Sequence, residues 1–310
     1  MQTRVSKNKK QLKEDKKRVR EKRKERFKKT RIKIRIIILS LITLFFVYGL
    51  FIEPRMLLVN EVKLESKDIP MSFDGIKVIH FSDLHYGSTI NINNIDKVIT
   101  KINSLNPDIV IFTGDLIDNK YNMTKDDVTK LANSLKRINY NLGKYAVIGN
   151  HDFYNEEFNN IIYDGEFILL KNSYDVVYNK DNNPILIYGV DNVSYGSPSL
   201  KELEKKELES ISYKMLLVHE PDYIDNILNK YDIDLILSGH SHNGQMKLFG
   251  LKPFYTPEGS KKYFSPYYKE NNTDIYISNG IGTSIIPFRF GSVPSINLYR
   301  LNSQNWLFFL

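Results

Sequence analysis

The stretch "DLILSGHSHNGQ", Asp234 to Gln245, runs from a short apolar segment straight into two histidines two residues apart, His240 and His242, flanked by Gly239 and Gly244. The apolar half reads as a buried strand. The second half is a tight turn carrying two imidazoles, a pattern that a packed core does not need and a metal ion does. A metal requires further ligands. The same punctuation recurs along the chain: "IKVIHF" (76–81) leads into "SDLHYG", "DIVIFT" (108–113) into "GDLID", "KYAVIG" (144–149) into "GNHD", and "YKMLLVH" (213–219) ends on a histidine.

Five of the six histidines, His85, His151, His219, His240 and His242, therefore lie at or just past a strand end. Asp83, Asp115, Asp118, Asn150 and Asp152 share those loops. In α/β sheets, sites form beyond the carboxyl ends of the strands, so five strand ends aim donor side chains at one edge. Imidazole, carboxylate and amide oxygen together suit manganese, iron or zinc; calcium prefers oxygen alone. A single loop histidine is ordinarily a surface residue, and the set, in this order, carries the argument. His80 lies inside its strand-like run and reads as a packed or supporting residue.

Further apolar runs, "LLVNEVKL" (57–64), "ILIYGV" (185–190) and "DIYISNG" (274–280), read as strands. Ile95, Val98, Ile99, Ile102 and Leu105 follow helical spacing and stop before Pro107. Val128, Leu131, Ala132, Leu135 and Ile138 do likewise, opened by Thr124 with Asp127 three residues on. "SLKELEKKELES" (199–210) reads as a charged surface helix. Alternating strand and helix predicts a layered α/β fold over residues 54–310, without internal repeats or a dividing linker.

The 310 residues contain no cysteine, which excludes disulfides, thiolate metal sites and a cysteine nucleophile. The formal charge of +8 is an average over unlike parts. Residues 1–35 hold 18 Lys/Arg against 4 Asp/Glu, a net of +14, so the other 275 carry −6. The basic tail is either a disordered segment or a solvated helix laced by Glu–Lys pairs, and its charge suits anionic lipid. "IIILSLITLFFVYGLFI" (36–52) follows without a charge. Its length as a helix is about 26 Å, and counting from Ile32 with Lys33 and Arg35 reaching back to the interface makes it long enough to span a bilayer. No small-residue cleavage site follows, so an uncleaved signal anchor is expected. The basic flank predicts a cytoplasmic N-terminus and an extracytoplasmic body.

The set "DLH … GDLID … GNHD … H … GHSH" resembles the calcineurin-like metallophosphoesterase superfamily over about residues 60–310. The anchor, "GHSHNGQ" and "SNGIGTSIIPFRFG" look like its membrane-associated bacterial branch, similar to cell-wall-associated phosphoesterases. Asn243 stands where that branch often has glycine and Tyr86 where leucine is usual. The resemblance implies a four-layer α/β/β/α sandwich with two divalent ions, manganese first among manganese, iron and zinc. Asp83, His85 and His242 would hold one ion and Asn150, His219 and His240 the other, with Asp115 bridging. His151 would act on the phosphate or leaving oxygen, oriented by Asp152. The reaction implied is attack of a metal-bound hydroxide on a phosphodiester or phosphomonoester, with envelope lipid or wall polymer as substrate classes.

The competing readings are a nuclease or cyclic-nucleotide phosphodiesterase on the same site, and a non-catalytic binding scaffold. A body of net −6 argues against gripping nucleic acid. A scaffold would lack ligands, and every expected ligand type is present. Arg289 is open to two assignments, a second phosphate site or a structural ion pair. The late aromatics Phe254, Tyr255, Tyr263, Phe264, Tyr267 and Tyr268 are likewise either a groove wall or lipid contact, or a small apolar cluster of their own.

Overall fold

The computed structural model describes residues 2–228, 230–248 and 251–304. It divides into two compact units, 1–49 and 50–310. The first is dominated by one helix, α1 (Gln2–Val47), so the basic tail takes the helical of its two expected forms, with Lys29 4 residues from Glu25 and 3.6 Å away. Its apolar part exposes Ile36, Ile37, Leu39, Leu41 and Leu44 around the helix, as a bilayer-facing segment would. By length and composition this helix can cross a membrane.

The second unit is built on two six-stranded sheets. The first contains β1 (Leu58–Ser66), β2 (Lys77–Phe81), β3 (Ile109–Phe112), β4 (Gly143–Ala146), β5 (Ile168–Leu169) and the last strand of the chain, β12 (Ser295–Ser303), in the order β1-β12-β2-β3-β4-β5. The second contains β6 (Ser173–Val177), β7 (Ile185–Gly189), β8 (Tyr213–Val218), β9 (Leu235–Ser238), β10 (Tyr267–Glu270) and β11 (Thr273–Ile277), in the order β10-β11-β9-β8-β7-β6. Strands β2 to β5 run parallel, as do β7, β8, β9 and β11. Those parallel strands have apolar residues on both faces, because both faces are covered.

The inner faces meet in an apolar layer that includes Val78, Ile109, Ile111, Met215, Leu217, Leu235, Leu237 and Tyr299. The outer face of the first sheet packs on α2 (Ile92–Ser104), α3 (Lys125–Lys136) and α4 (Phe158–Asp164) through Ile95, Ile99, Leu131, Leu135 and Ile161. Both expected helices are present, and Thr124 and Asp127 form the reciprocal cap that opens α3.

The outer face of the second sheet is covered more thinly, by short turns and the single-turn α5 (Asp225–Leu228). The expected surface helix at 199–210 is two 3₁₀ turns, Lys201–Glu204 and Lys206–Leu208, broken by an extended Lys205. Tertiary anchors override its helical composition. Ser199 is held by Asn172 and Tyr188, while Leu208 and Ile211 pack beside Leu186. A 3₁₀ turn rises about 2 Å per residue against 1.5 Å in an α-helix, so the same residues reach further.

Candidate functional site

The parallel strands of both sheets end at one edge, and the loops leaving β2, β3, β4, β8 and β9 bring together the seven residues that the sequence nominates as ligands. Asp83, His85 and His242 have donor atoms within 4.8 Å of one another, and so do Asp115, His219 and His240. His85 and His242 approach to 3.0 Å between their Nε2 atoms. Asp115 Oδ2 lies 3.6 Å from His85 Nε2 and 3.3 Å from His219 Nε2, so it stands between the two groups. Asn150 Oδ1 is 3.1 Å from His219 Nε2. All but Asn150 are buried.

The local backbone is bent to achieve this. Asp83, His85, Asp115, His240 and His242 all have φ between 45° and 65°, a left-handed conformation uncommon outside glycine. Gly149 lets the β4 loop close on the β3 loop, because a β-carbon there would overlap Asp115.

Supporting hydrogen bonds fix which nitrogen each imidazole presents. His219 Nδ1 donates to the Thr113 carbonyl at 2.6 Å, leaving Nε2 toward Asp115 and Asn150. His240 Nε2 donates to the Glu258 carbonyl at 2.6 Å, leaving Nδ1 toward the site. Arg289 approaches His242 Nδ1 at 3.1 Å and holds that ring with its Nε2 beside His85 Nε2. Among the described residues, buried His85 Nδ1 has no hydrogen-bond partner, and Asp118 Oδ2 lies 4.0 Å away.

The electrostatics point to missing positive charge. Burial, reinforced by the Asp115 charge, pushes the Asp83 carboxyl up to about 7. Burial alone would lower His219, yet Asp115 raises it well above the usual imidazole range. Burial alone would raise Asp115, yet His219 and its neighbours hold it well below the usual carboxylate range. Burial holds His85 and His242 down, so those rings stay neutral and keep a lone pair. A carboxylate and an amide oxygen converge on His219 Nε2, which accommodates them only if a proton or a cation lies between. The donor set fits a pair of divalent ions.

His151 is half-buried, with its ring 4.6 Å from that of His85. It does not receive the expected bond from Asp152. That carboxylate instead accepts the backbone N–H groups of Asp115, Leu116, Ile117 and Gly149, and so ties the β3 loop to the β4 loop. Four amide donors saturate its oxygens, and the Asn119 N–H reaches His151 Nδ1 instead, at 3.3 Å. His80 is packed away from the site, 2.8 Å from the Thr113 hydroxyl. Arg289 is fully buried and spends its guanidinium on the carbonyls of Asn279, Gly282 and Ser292 and on His242, which removes the phosphate-site assignment and supplies no ion pair.

Three roles escaped the sequence reading. Asp118 faces His85. Gln245, the last residue of "GHSHNGQ", donates to the carbonyls of Ser284, Ile286 and Phe288 and accepts from the Ser284 N–H, clamping that loop at the site. Glu53 is buried and accepts from the backbone of Gly291 and Ser292. Of these, Asp118 and Gln245 had a signal, their places in "GDLID" and "GHSHNGQ", and Glu53 had none.

The site opens into a cleft of about 600 Å³ whose floor carries Asp115, Asn150, His151 and His240 and whose wall includes Met246, Tyr255, Ile285 and Ile286. Of the late aromatics, Tyr263 is buried with its hydroxyl on Asp225, and Tyr268 receives the N–H groups of Phe264 and Ser265. Phe254 and Tyr255 are exposed.

Residues 76–244 match the family model described as calcineurin-like phosphoesterase. The chain is 33% identical over 261 residues to the uncharacterized metallophosphoesterase YkuE of Bacillus subtilis, covering 83% of this chain and 90% of that one. It is 31% identical over 265 residues to an uncharacterized metallophosphoesterase of Aquifex aeolicus, covering 82% and 95%. A transmembrane protein with metallophosphoesterase domain from Danio rerio is 28% identical over 265 residues, covering 81% of this chain and 58% of that protein. Relatives of that kind, with the apolar helix, indicate membrane association. The matched motifs are the strand-end loops that gather the buried donors, and the chain belongs to the calcineurin-like phosphoesterase family, metal-dependent hydrolases of phosphate esters that use a dinuclear divalent centre.

Proposed function

We propose that this protein is a membrane-anchored phosphoesterase whose body, residues 54–310, faces the extracytoplasmic side and hydrolyses a phosphodiester or phosphomonoester of the envelope. The observation that carries the site assignment is the convergence of Asp115 Oδ2 and Asn150 Oδ1 on His219 Nε2, whose other nitrogen is committed to the Thr113 carbonyl. Asp83, His85 and His242 would hold one ion, Asn150, His219 and His240 the second, and Asp115, which stands between the two groups, would serve both. Manganese is our first assignment for a set of imidazoles, carboxylates and one amide. When bound, the pair supplies Lewis acidity, which lowers the pKa of a water and neutralises phosphoryl oxygens.

The chain's own residues do the rest. Asp152 holds the β3 and β4 loops in one geometry. Asn119 occupies His151 Nδ1, which places the neutral ring's proton on Nε2, the nitrogen that can donate to a phosphoryl or leaving oxygen. The basic residues before the apolar run support a cytoplasmic N-terminus.

The purified full chain, assayed on phosphodiesters and monoesters with and without chelator, tests this reading. His151→Ala is expected to lower the rate about 10²–10⁴-fold while both ions stay bound. Chelator-resistant turnover, or loss of the ions along with the rate in His151→Ala, contradicts it.

A further inference from the structure

We propose that the rim of the cleft is a membrane-insertion surface, seated on the same bilayer that takes up the chain's apolar helix, so that the site works at the lipid–water interface. Two loops form this rim. Ile285 (66% exposed) and Ile286 come from one, and Leu251, Phe254 (72% exposed) and Tyr255 from the other. Both loops are stitched to the segment after His242: Phe290 donates to Gln245, Lys247 to Phe290, and Phe254 to Met246. Ile285, Ile286 and Tyr255 also line the cleft mouth. Isolated exposed apolar residues are ordinary, but three at one opening, with exposed Leu251 and Phe254 on the same loop as Tyr255, are a cluster of the kind that marks a contact surface.

The patch is held out rather than left loose. Gln245 clamps the loop carrying the isoleucines through three carbonyls and one N–H. Ile285 itself sits at φ 65°, a strained conformation for a β-branched residue, and still points into solvent. The strain shows that the fold fixes this residue in place, and its exposure, unfavourable in water, becomes favourable where acyl chains desolvate the side chain.

Chain continuity says which surface covers it. The apolar run ends at Ile52. The next residue, Glu53, is buried beneath the base of the same loop, accepting from Gly291 at 3.1 Å and Ser292 at 2.7 Å, and Ser292 donates to the His242 carbonyl. The residue that follows the apolar run is thus fixed one hydrogen-bonded step from a ligand candidate. Exposed Lys252, between Leu251 and Phe254, suits anionic head groups, and an aromatic such as Tyr255 suits the interface.

The inference rests on reading residues 36–52 as membrane-spanning, and the test separates the two. The chain has no cysteine, so a single introduced one carries a polarity-sensitive fluorophore. Full-length Ile285→Cys and Phe254→Cys, with Leu44→Cys in the apolar run and Tyr163→Cys on α4, are reconstituted into phosphatidylethanolamine–phosphatidylglycerol vesicles containing spin-labelled lipid. Labels at 285, 254 and 44 should be blue-shifted and quenched several-fold, and the label at 163 should not. Quenching at 44 without quenching at 285 and 254 overturns rim insertion and leaves the anchor. A blue-shifted but unquenched label at 285 means that protein covers the rim, which also overturns it. Failure at 44, 254 and 285 together removes the anchor and the inference with it.

Discussion

The layer between the two sheets and the edge where their parallel strands end are both buried, yet they are stabilised in opposite senses. Between the sheets lie apolar side chains such as Val78, Ile111, Leu217 and Leu237, each withdrawn from water with no polar group to satisfy. Such burial contributes about 1.5–3 kcal/mol per side chain. At the edge the seven ligand candidates include two carboxylates and four imidazoles, and five of the seven have left-handed backbone. Strain of that kind costs about 1–3 kcal/mol per residue. The edge is costly to fold without its ions, and the sheet layer offsets that cost. Metal binding and folding stability should therefore be separable by mutation, one region at a time.

The largest expected separation is at Asp83. Its carboxyl is raised to about 7 by burial, so the folded metal-free chain favours the neutral form. The stability that this preference contributes is present below the unfolded carboxyl range near pH 4 and is lost as pH rises through 7. Asp83→Asn is neutral at every pH and can keep the acceptor role toward the His240 N–H. It should lower hydrolysis about 10³-fold or more, roughly 4 kcal/mol of transition-state stabilisation. In chelator at pH 8 its Tm should equal or exceed that of the parent. A Tm well below the parent's would show that the edge is stabilised by its own charges.

Leu217→Ala probes the other region. It should cost about 2–5 kcal/mol in denaturant unfolding and leave kcat per folded molecule nearly unchanged. A matching loss of kcat would couple the layer to the site and break the comparison.

The smallest effect sharpens it, because Lys144 is a buried charge outside the site. Its ammonium bonds the Leu135 carbonyl and sits 4.8 Å over the Phe167 ring, and burial lowers it to about 8. A depressed lysine contributes stability above its unfolded pKa and loses it as pH falls through 8, so the parent should gain stability from pH 7 to 10. Lys144→Met should be more stable at pH 7, by about 1–3 kcal/mol, and flatter with pH. No change at pH 7 would mean that the ring and carbonyl contacts already offset the buried charge.

The strand-end motifs were legible because each is local: an apolar run and then a donor, with a glycine between them at Asp115, Asn150 and His240. The helices opened by Thr124 and closed before Pro107 were legible for the same reason. The strand Ser295–Ser303 was not, because its place, parallel to β1 across a separation of more than 200 residues and antiparallel to β2, is set by long-range pairing that no window contains. The 199–210 segment misled because its composition favours helix while Ser199 and Leu208 are fixed elsewhere. Asp152, Gln245, Glu53 and Arg289 act mainly through backbone groups of other loops, and such bonds leave no spacing to read.

The central claim is that these side chains close around two cations. Anomalous scattering from a manganese-soaked crystal of the full chain measures it directly. The account predicts two peaks, one among Asp83, His85 and His242, one among Asn150, His219 and His240, with Asp115 touching both. A single peak elsewhere, or none at saturating manganese, would contradict it.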